Sequence, residues 1–266
     1  MQNRHQTPDL YFREQSYTTK QYVIPFISGV LPVTNDLSVL EIGCGHGGNM
    51  EPFLDIGCRV TGLDINPGDI AMAESFLKDH PRRTNLRLLA TDIYDASADQ
   101  LGSFDLIVMK DVIEHIHDQQ KFLRFIRRFL NEEGRIFLGF PPWYMPFGGH
   151  QQVCKNRWLA NLPYIHLLPA PLYKRALEMF GEKPARVSEL LEVKETGLSI
   201  ERFRKIVREQ GYQVEREILY LVNPNYEIKF HLKPRRQLPV VSSLYFLRNF
   251  VTTCCYSLIR PDRPAS

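Results

Sequence analysis

The chain has 266 residues, of which 44% are hydrophobic and 24% are charged, and its formal charge at pH 7 is +3. This length is sufficient for one large α/β domain with an insertion, or for two small domains. The composition is ordinary for a globular protein and excludes a chain dominated by charge. The small positive excess neither requires nor excludes an anionic partner.

The cysteines and the first residues of the chain indicate the cellular compartment to expect. The five cysteines are odd in number, and no two have C-x-x-C spacing. Residues 1–20 are polar and mixed in charge, unlike a secretory signal. We therefore expect reduced thiols in a cytoplasmic protein. For the pair Cys254–Cys255, a redox or lipidation site is the alternative to two buried apolar residues.

Short apolar runs alternate with helical patterns over the first half of the chain. The runs predict buried parallel strands at 39–42, 60–63, 86–90, 104–109 and 135–140. Apolar residues at helical spacing predict helices at 49–56, 67–79 and 119–130. This alternation predicts a parallel sheet with helices on both faces.

The alternation stops after residue 141. Residues 142–197 are rich in proline, tyrosine, tryptophan and leucine and are predicted to form an insertion, helical around 172–180. Large apolar side chains beside a ligand site favour a lid over a partly hydrophobic acceptor. A separate small core or a dimer contact is the alternative.

The alternation then resumes. Ser199 is suited to cap a helix, and Gly211 is suited to end it. Strand-like runs at 212–222 and 226–232 flank an Asn-Pro-Asn turn and predict an antiparallel hairpin. The apolar tail at 238–259 is interrupted by polar and charged residues, so a membrane-spanning helix is not predicted. A helix packed on the domain is favoured over one on a membrane surface.

The most informative segment is VLEIGCGHGGNM, residues 39–50, where a buried strand runs into a glycine-rich turn. Its glycines also fit the dinucleotide pattern G-x-G-x-x-G, which is a weak signal alone. Asp64 ends the next predicted strand, where a carboxylate can bind both ribose hydroxyls. These features fit NAD as well.

Two further carboxylates fit NAD less well. Glu41 lies within the first predicted strand, and Asp92 follows the third. Together with Asp64 they imply a ligand with a positive centre, a ribose and an adenine, but no pyrophosphate. A sulfonium nucleotide meets this description, because carboxylates near a cation are electrostatically favourable.

Four motifs stand in order along the chain: VLEIGCGHG (39–47), VTGLDIN (60–66), ATDIYD (90–95) and FDLIVMKDVIEHI (104–116). The series resembles that of class I S-adenosylmethionine (SAM)-dependent methyltransferases, and especially the type 11 group that acts on small molecules. The similarity is good over residues 35–141 and looser over 198–232.

This resemblance implies cofactor contacts. Glu41 would orient the methionine end of SAM, Asp64 would bind the ribose, and Asp92 would hold the exocyclic amine of adenine. The backbone carbonyl of Lys110 would accept a hydrogen bond from the methionine amine. The other implied contacts are Gly43, Cys44, Gly45 and Gly47 in the loop, and Ile65 and Ile93 beside the adenine. A loop contact for Glu41 and a simple turn role for Asp92 are the alternatives.

With the resemblance, the patterns predict an α/β fold. It is a Rossmann-like, seven-stranded, mostly parallel sheet with a C-terminal antiparallel hairpin, helices on both faces and an inserted lid after the fifth strand. The predicted segments are an N-terminal helical cap (1–34), the SAM-binding core (35–141), the insertion (142–197), the last helix and hairpin (198–233), and a basic then apolar tail (234–266).

Catalysis of methyl transfer can depend largely on positioning, and a base is needed only if the acceptor loses a proton early. The candidate bases are Asp111, Glu114, His115 and His150, and we name His150 and His115 as the catalytic candidates. Packing at the cofactor site is the alternative for His115, and exposure on a loop is the alternative for His150. No metal site is predicted.

The sequence thus predicts a SAM-dependent methyltransferase with a small-molecule or lipid-like acceptor, methylated at oxygen, and with S-adenosylhomocysteine (SAH) as product. Nucleic acid is not an expected partner, because the chain has no basic–aromatic stripe. The oligomeric state is left open. The alternatives are a non-catalytic SAM-binding scaffold and an NAD-dependent oxidoreductase, for which a Tyr-x-x-x-Lys pair is missing.

Overall fold

A single mixed sheet forms the centre of the molecule, which a computed structural model describes over residues 7–262. The strands are β1 (Ser38–Ile42), β2 (Arg59–Asp64), β3 (Leu86–Ala90), β4 (Phe104–Lys110), β5 (Leu130–Phe140), β6 (Tyr212–Val222), β7 (Arg235–Arg236) and β8 (Cys254–Pro261). They lie in the order β3-β2-β1-β4-β5-β8-β6-β7. Strands β1 to β5 are parallel, and β8 runs antiparallel to its neighbours β5 and β6. The carboxyl ends of β1 to β5 therefore meet at one edge.

Helices surround this sheet. They are α1 (Pro8–Thr18), α2 (Ile24–Ser28), α3 (Glu51–Ile56), α4 (Pro67–Leu77), α5 (Ala98–Leu101), α6 (Gln119–Ile126), α7 (Arg157–Asn161), α8 (Ala170–Met179), α9 (Pro184–Thr196), α10 (Ile200–Glu209), α11 (Asn225–Phe230) and α12 (Pro239–Ser243). The predicted cap is present at α10, where the Ser199 side chain accepts a hydrogen bond of 3.1 Å from the Arg202 backbone N–H.

Alternating residues of the strands face two separate cores. Ile107 and Met109 of β4 pack in the core that α6 and α10 cover. Leu106 and Val108 of the same strand pack in the core that α2, α3 and α4 cover. Because both faces are buried, the strand reads as a continuous apolar run. The predicted α/β sheet with helices on both faces is confirmed.

The insertion has a third, smaller core of its own between α7, α8 and α9. Its members include Leu159, Tyr173, Leu177, Val187 and Leu190. A hydrogen bond ties this segment to the residues that follow it, since the Trp143 N–H donates to the Leu198 carbonyl at 2.9 Å. Within the segment, the Trp143 carbonyl lies 2.8 Å from Nε2 of His166.

The predicted hairpin is wrong in its second strand, and the sheet has eight strands rather than seven. Residues 225–230 form the helix α11, and β8 pairs with β6 from Tyr212–Pro261 to Tyr220–Cys254. The Asn223 side chain accepts a hydrogen bond of 2.9 Å from the Asn225 N–H and so starts a helical turn. Every residue of the run CCYSLI at 254–259 is buried, as in a strand that is covered on both faces.

The single helix predicted for the apolar tail is therefore also wrong. Within residues 238–259, α12 and a short 3₁₀ turn are followed by β8, which lies inside the sheet. All five cysteines are buried and form no disulfide. Within residues 7–262, no helix has the length and hydropathy that a membrane crossing requires.

Candidate functional site

The glycine-rich loop after β1 has a backbone that only glycine adopts readily. Gly43, Gly45 and Gly47 have φ of 72°, 49° and 86°. A Cβ on Gly43 would lie 2.6 Å from a methyl carbon of Val112, so the loop and the turn after β4 approach closely. The Gly43 N–H donates to the Leu63 carbonyl at 2.7 Å, which ties the loop to β2. The loop is thus held at the edge where the parallel strands end.

Asp64 ends β2 and faces this loop. Its Oδ2 accepts a hydrogen bond of 2.9 Å from the Gly45 N–H, and its Oδ1 accepts one of 2.9 Å from the Asn66 N–H. Each carboxylate oxygen has a further lone pair that a ligand hydroxyl can use. Ile65 follows with 72% of its surface exposed. A carboxylate and an exposed apolar side chain therefore lie together at this edge of the sheet.

Glu41 is buried beneath the loop, with 2% of its surface exposed. Its Oε1 accepts a hydrogen bond of 2.9 Å from Asn49, whose own amide oxygen accepts one of 2.8 Å from Thr19. Burial raises the pKa of Glu41 to about 8, although Asn49 and Lys110 oppose the shift. A cationic ligand at this carboxyl would favour its charged form.

Lys110 and Asp111 form an ion pair at the end of β4. Nζ of Lys110 lies 2.8 Å from Oδ2 of Asp111, and the lysine side chain is only 4% exposed. Although burial opposes the charged form, Lys110 holds the pKa of Asp111 below its ordinary value. Asp111 has a φ of 59°, a left-handed conformation that is uncommon outside glycine.

The remaining predicted cofactor residues lie near the same edge. Asp92 follows β3, and its Oδ1 accepts a hydrogen bond of 2.9 Å from the Tyr94 N–H, which leaves Oδ2 for a ligand. Ile93 is buried. Cys44 is also buried, and its Sγ packs against Gly62 of β2. Only the backbone of Cys44 is therefore available to a ligand at the loop.

A cavity of about 350 Å³ opens beside the Lys110–Asp111 pair. Its walls come from the N-terminal helix (Tyr11), the turn after β4 (Asp111, Glu114), the insertion (Met145, Phe147, His150, Arg186) and the β6–β8 connection (Asn223, Tyr226, Lys229, Phe230, Thr253). The sequence analysis did not identify the residues of α9 and α11 that line this cavity. Those of α11 were missed because their segment was assigned to a strand.

The two histidines predicted for catalysis lie together. The ring centroids of His115 and His150 are 5.1 Å apart, and one ring points its edge at the face of the other. Both lie beside Glu114, which is 4% exposed and lines the cavity. Burial, with a smaller contribution from His115, lowers the pKa of His150 to about 4. His150 is therefore a neutral imidazole at neutral pH.

The two glycines before His150 are not needed for their backbone angles, since neither Gly148 nor Gly149 has a positive φ. Close packing requires them instead. A Cβ on Gly148 would lie 2.1 Å from the Trp143 carbonyl oxygen, and one on Gly149 would lie 2.2 Å from the Cβ of His166.

Comparison with known proteins agrees with this geometry. Residues 40–138 match the family model described as "Methyltransferase domain". The matched residues include most of β1, the glycine loop and strands β2 to β4 described above, and in this part the chain is similar to a methyltransferase domain. The resemblance drawn from the four sequence motifs is confirmed.

Curated relatives match over part of their length. The ubiquinone biosynthesis O-methyltransferase of Bartonella quintana is 30% identical over 136 residues, which are 49% of this chain and 52% of that protein. The protein of the same name from a Methylobacterium strain is 34% identical over 88 residues, 33% of this chain and 34% of that protein. The chain spans about half or less of the length of these relatives.

Solved structures share the fold over most of the chain. The magnesium protoporphyrin IX methyltransferase of Synechocystis PCC 6803, with bound SAH, gives a TM-score of 0.54 at 14% identity, covering 92% of this chain and 82% of that chain. A putative sarcosine dimethylglycine methyltransferase of Galdieria sulphuraria gives 0.54 at 15% identity, covering 94% and 86%. At these identities the likeness concerns the fold alone.

Proposed function

We propose that this protein transfers the methyl group of SAM to an oxygen of a small-molecule or lipid-like acceptor, releasing SAH. The observation that carries the proposal is the arrangement of three acidic side chains around the glycine loop. Glu41 lies buried beneath it, Asp64 bonds to its Gly45 N–H, and Asp92 follows the adjoining strand. The named relatives, O-methyltransferases, support an oxygen acceptor.

The residues present fit SAM. The raised pKa of Glu41 marks a buried carboxyl that a ligand ammonium would stabilise in its charged form. Asp64 would bind the ribose hydroxyls, Asp92 the adenine amine, and the exposed Ile65 would cover the adenine face. When bound, SAM supplies a methyl group that its sulfonium already activates. The protein then has chiefly to hold the acceptor in line and exclude water.

The cavity supplies a place for the acceptor. Phe147, Tyr226 and Phe230 give it apolar walls, and Arg186 and Lys229 add positive charge. A hydroxylated compound with an apolar body fits such a lining. His150 borders the cavity and His115 touches His150, so these two are the side chains we propose for contact with the acceptor or removal of its proton.

Calorimetric titration with SAM, SAH and NAD tests the cofactor. We expect SAM and SAH to bind and NAD not to bind. Binding of NAD alone would replace the proposal with an oxidoreductase. If SAM binds, transfer of a labelled methyl group to hydroxylated aromatic compounds tests turnover. Binding without transfer to any acceptor, including lipid extracts, would favour a scaffold.

A further inference from the structure

Three side chains at the cavity form a cluster that the cofactor site does not use. One ligand atom from each of Glu114, His115 and His150 lies within 4.8 Å of the other two. Glu114 and His115 stand on the turn after β4, and His150 comes from the insertion. The cluster is therefore formed where the insertion meets the core.

Glu114 lacks the partners that a buried carboxylate needs. It is 4% exposed and borders the cavity, yet neither of its side-chain oxygens accepts a hydrogen bond from another residue. Removal of a carboxylate from water is costly unless a cation or hydrogen bonds compensate. The cation that acts on its charge, Lys110, is already paired with Asp111. The position thus lacks a positive charge.

Two imidazoles and one carboxylate form a recognised donor set. Such a set binds Zn²⁺ in catalytic sites with an open fourth position, and it also binds Fe²⁺ in oxygenases. Zinc bonds of about 2.0–2.2 Å place tetrahedral ligands about 3.4 Å apart. Side-chain rotations that move these atoms by about 1 Å therefore close the site.

We propose that Glu114, His115 and His150 bind one divalent transition-metal ion, whose open position faces the cavity. This inference rests on the proposed function for its role: the ion holds the acceptor as an ionisable hydroxyl. Coordination favours the oxyanion, and its proton passes to solvent. The oxygen then forms the new bond to the methyl carbon as the carbon–sulfur bond breaks. In this state both imidazoles are ligands, and neither serves as the base.

The test measures metal binding itself. Full-length protein is treated with a chelator, freed of it, and titrated with Zn²⁺ in competition with a chromophoric chelator. Co²⁺ is then added, because its visible absorption reports coordination by nitrogen ligands. We expect one equivalent of either ion to bind and Mg²⁺, which prefers oxygen ligands, not to compete.

Matched variants locate the ion. Glu114→Gln keeps the shape of the side chain, and His150→Asn keeps a residue that tolerates the left-handed backbone of position 150 (φ 56°). Each is expected to weaken Zn²⁺ binding by at least about tenfold. The control His117→Ala, an exposed histidine outside the cluster, should bind as the wild type does.

The outcomes separate this inference from the proposed function. Absence of stoichiometric Zn²⁺ binding, or binding that the two cluster variants leave unchanged, overturns the metal site. SAH affinity, measured on the same metal-free samples, reports the cofactor site independently and also shows that each variant is folded. If the wild-type protein does not bind SAH, the proposed function is overturned, and the metal result is unaffected.

Discussion

The backbone N–H of Gly45 donates a hydrogen bond of 2.9 Å to Oδ2 of Asp64, so the last side chain of β2 fixes the loop that follows β1. The Asp64 carboxylate thereby holds the loop and keeps lone pairs that can accept hydrogen bonds from a ligand hydroxyl. Loss of this side chain is expected to affect both roles together.

Asp64→Ala should weaken SAM binding by about 1.5–3 kcal/mol, roughly 10- to 150-fold, because ribose hydrogen bonds are lost and the Gly45 N–H loses its acceptor. Calorimetric titration measures the change. Asp79→Ala, at an exposed aspartate just after α4, is the control and should bind SAM normally. Equal affinity in Asp64→Ala and the wild type would show that Asp64 does not hold the ribose.

Binding of SAM should release a proton from Glu41. Its pKa is raised to about 8 by burial, so at pH 7 roughly nine-tenths of the molecules carry a neutral carboxyl. A bound cation favours the carboxylate, and about one proton should leave per ligand. Titrations in two buffers with different ionisation enthalpies count the protons. Glu41→Gln has no such proton to lose, and wild-type binding without release would contradict the assignment.

The parallel half of the fold could be predicted because its causes are local. Strands buried on both faces give unbroken apolar runs, as at 104–109, and each run ends at a recognisable turn or acidic residue. Pairing of β6 could not be predicted in this way. Its partner β8 begins at Cys254, well beyond the end of β6 at Val222. The choice between 226–232 and 254–261 depends on which run can be buried beside β5.

Gly149→Ala should destabilise the protein by about 1–3 kcal/mol, since the new methyl group would overlap the Cβ of His166 and must displace it. Chemical denaturation measures the free energy of unfolding. Gly68→Ala is the matched control, because Gly68 lies in the first turn of α4, where the nearest atom to a Cβ is a side-chain oxygen 3.2 Å away. Similar stability of the two variants would refute the packing argument.

Acid should destabilise the folded protein through His166. Burial lowers the pKa of this histidine from 6.5 to about 4, so between those values the unfolded chain binds a proton that the folded chain does not. The free energy of unfolding must then fall as the pH drops from 6.5 to 4, by at most about 3 kcal/mol. In His166→Gln this part of the pH dependence should vanish, and denaturation curves at pH 7 and 5 measure it. Parallel losses in both proteins would exclude His166 as the cause.

The sequence could predict which acidic side chains share one edge of the sheet. Glu41, Asp64 and Asp92 lie at or just after the ends of parallel strands, and such ends meet at one edge. Their contact with a cofactor stays a prediction. The relation of Glu114 to His150 was not found, since 35 residues lie between them in the sequence. The sequence pattern does not indicate that the insertion packs against the turn after β4.

Strand β8 has a consequence for how the protein matures during synthesis. It lies between β5 and β6, so until the ribosome has released residues 254–261 both of those strands keep an unpaired edge. The connection that carries Tyr226 and Phe230 to the cavity is closed by the same pairing. The cavity is thus complete only once β8 has paired, and a nascent chain that still lacks β8 has exposed strand edges that favour aggregation.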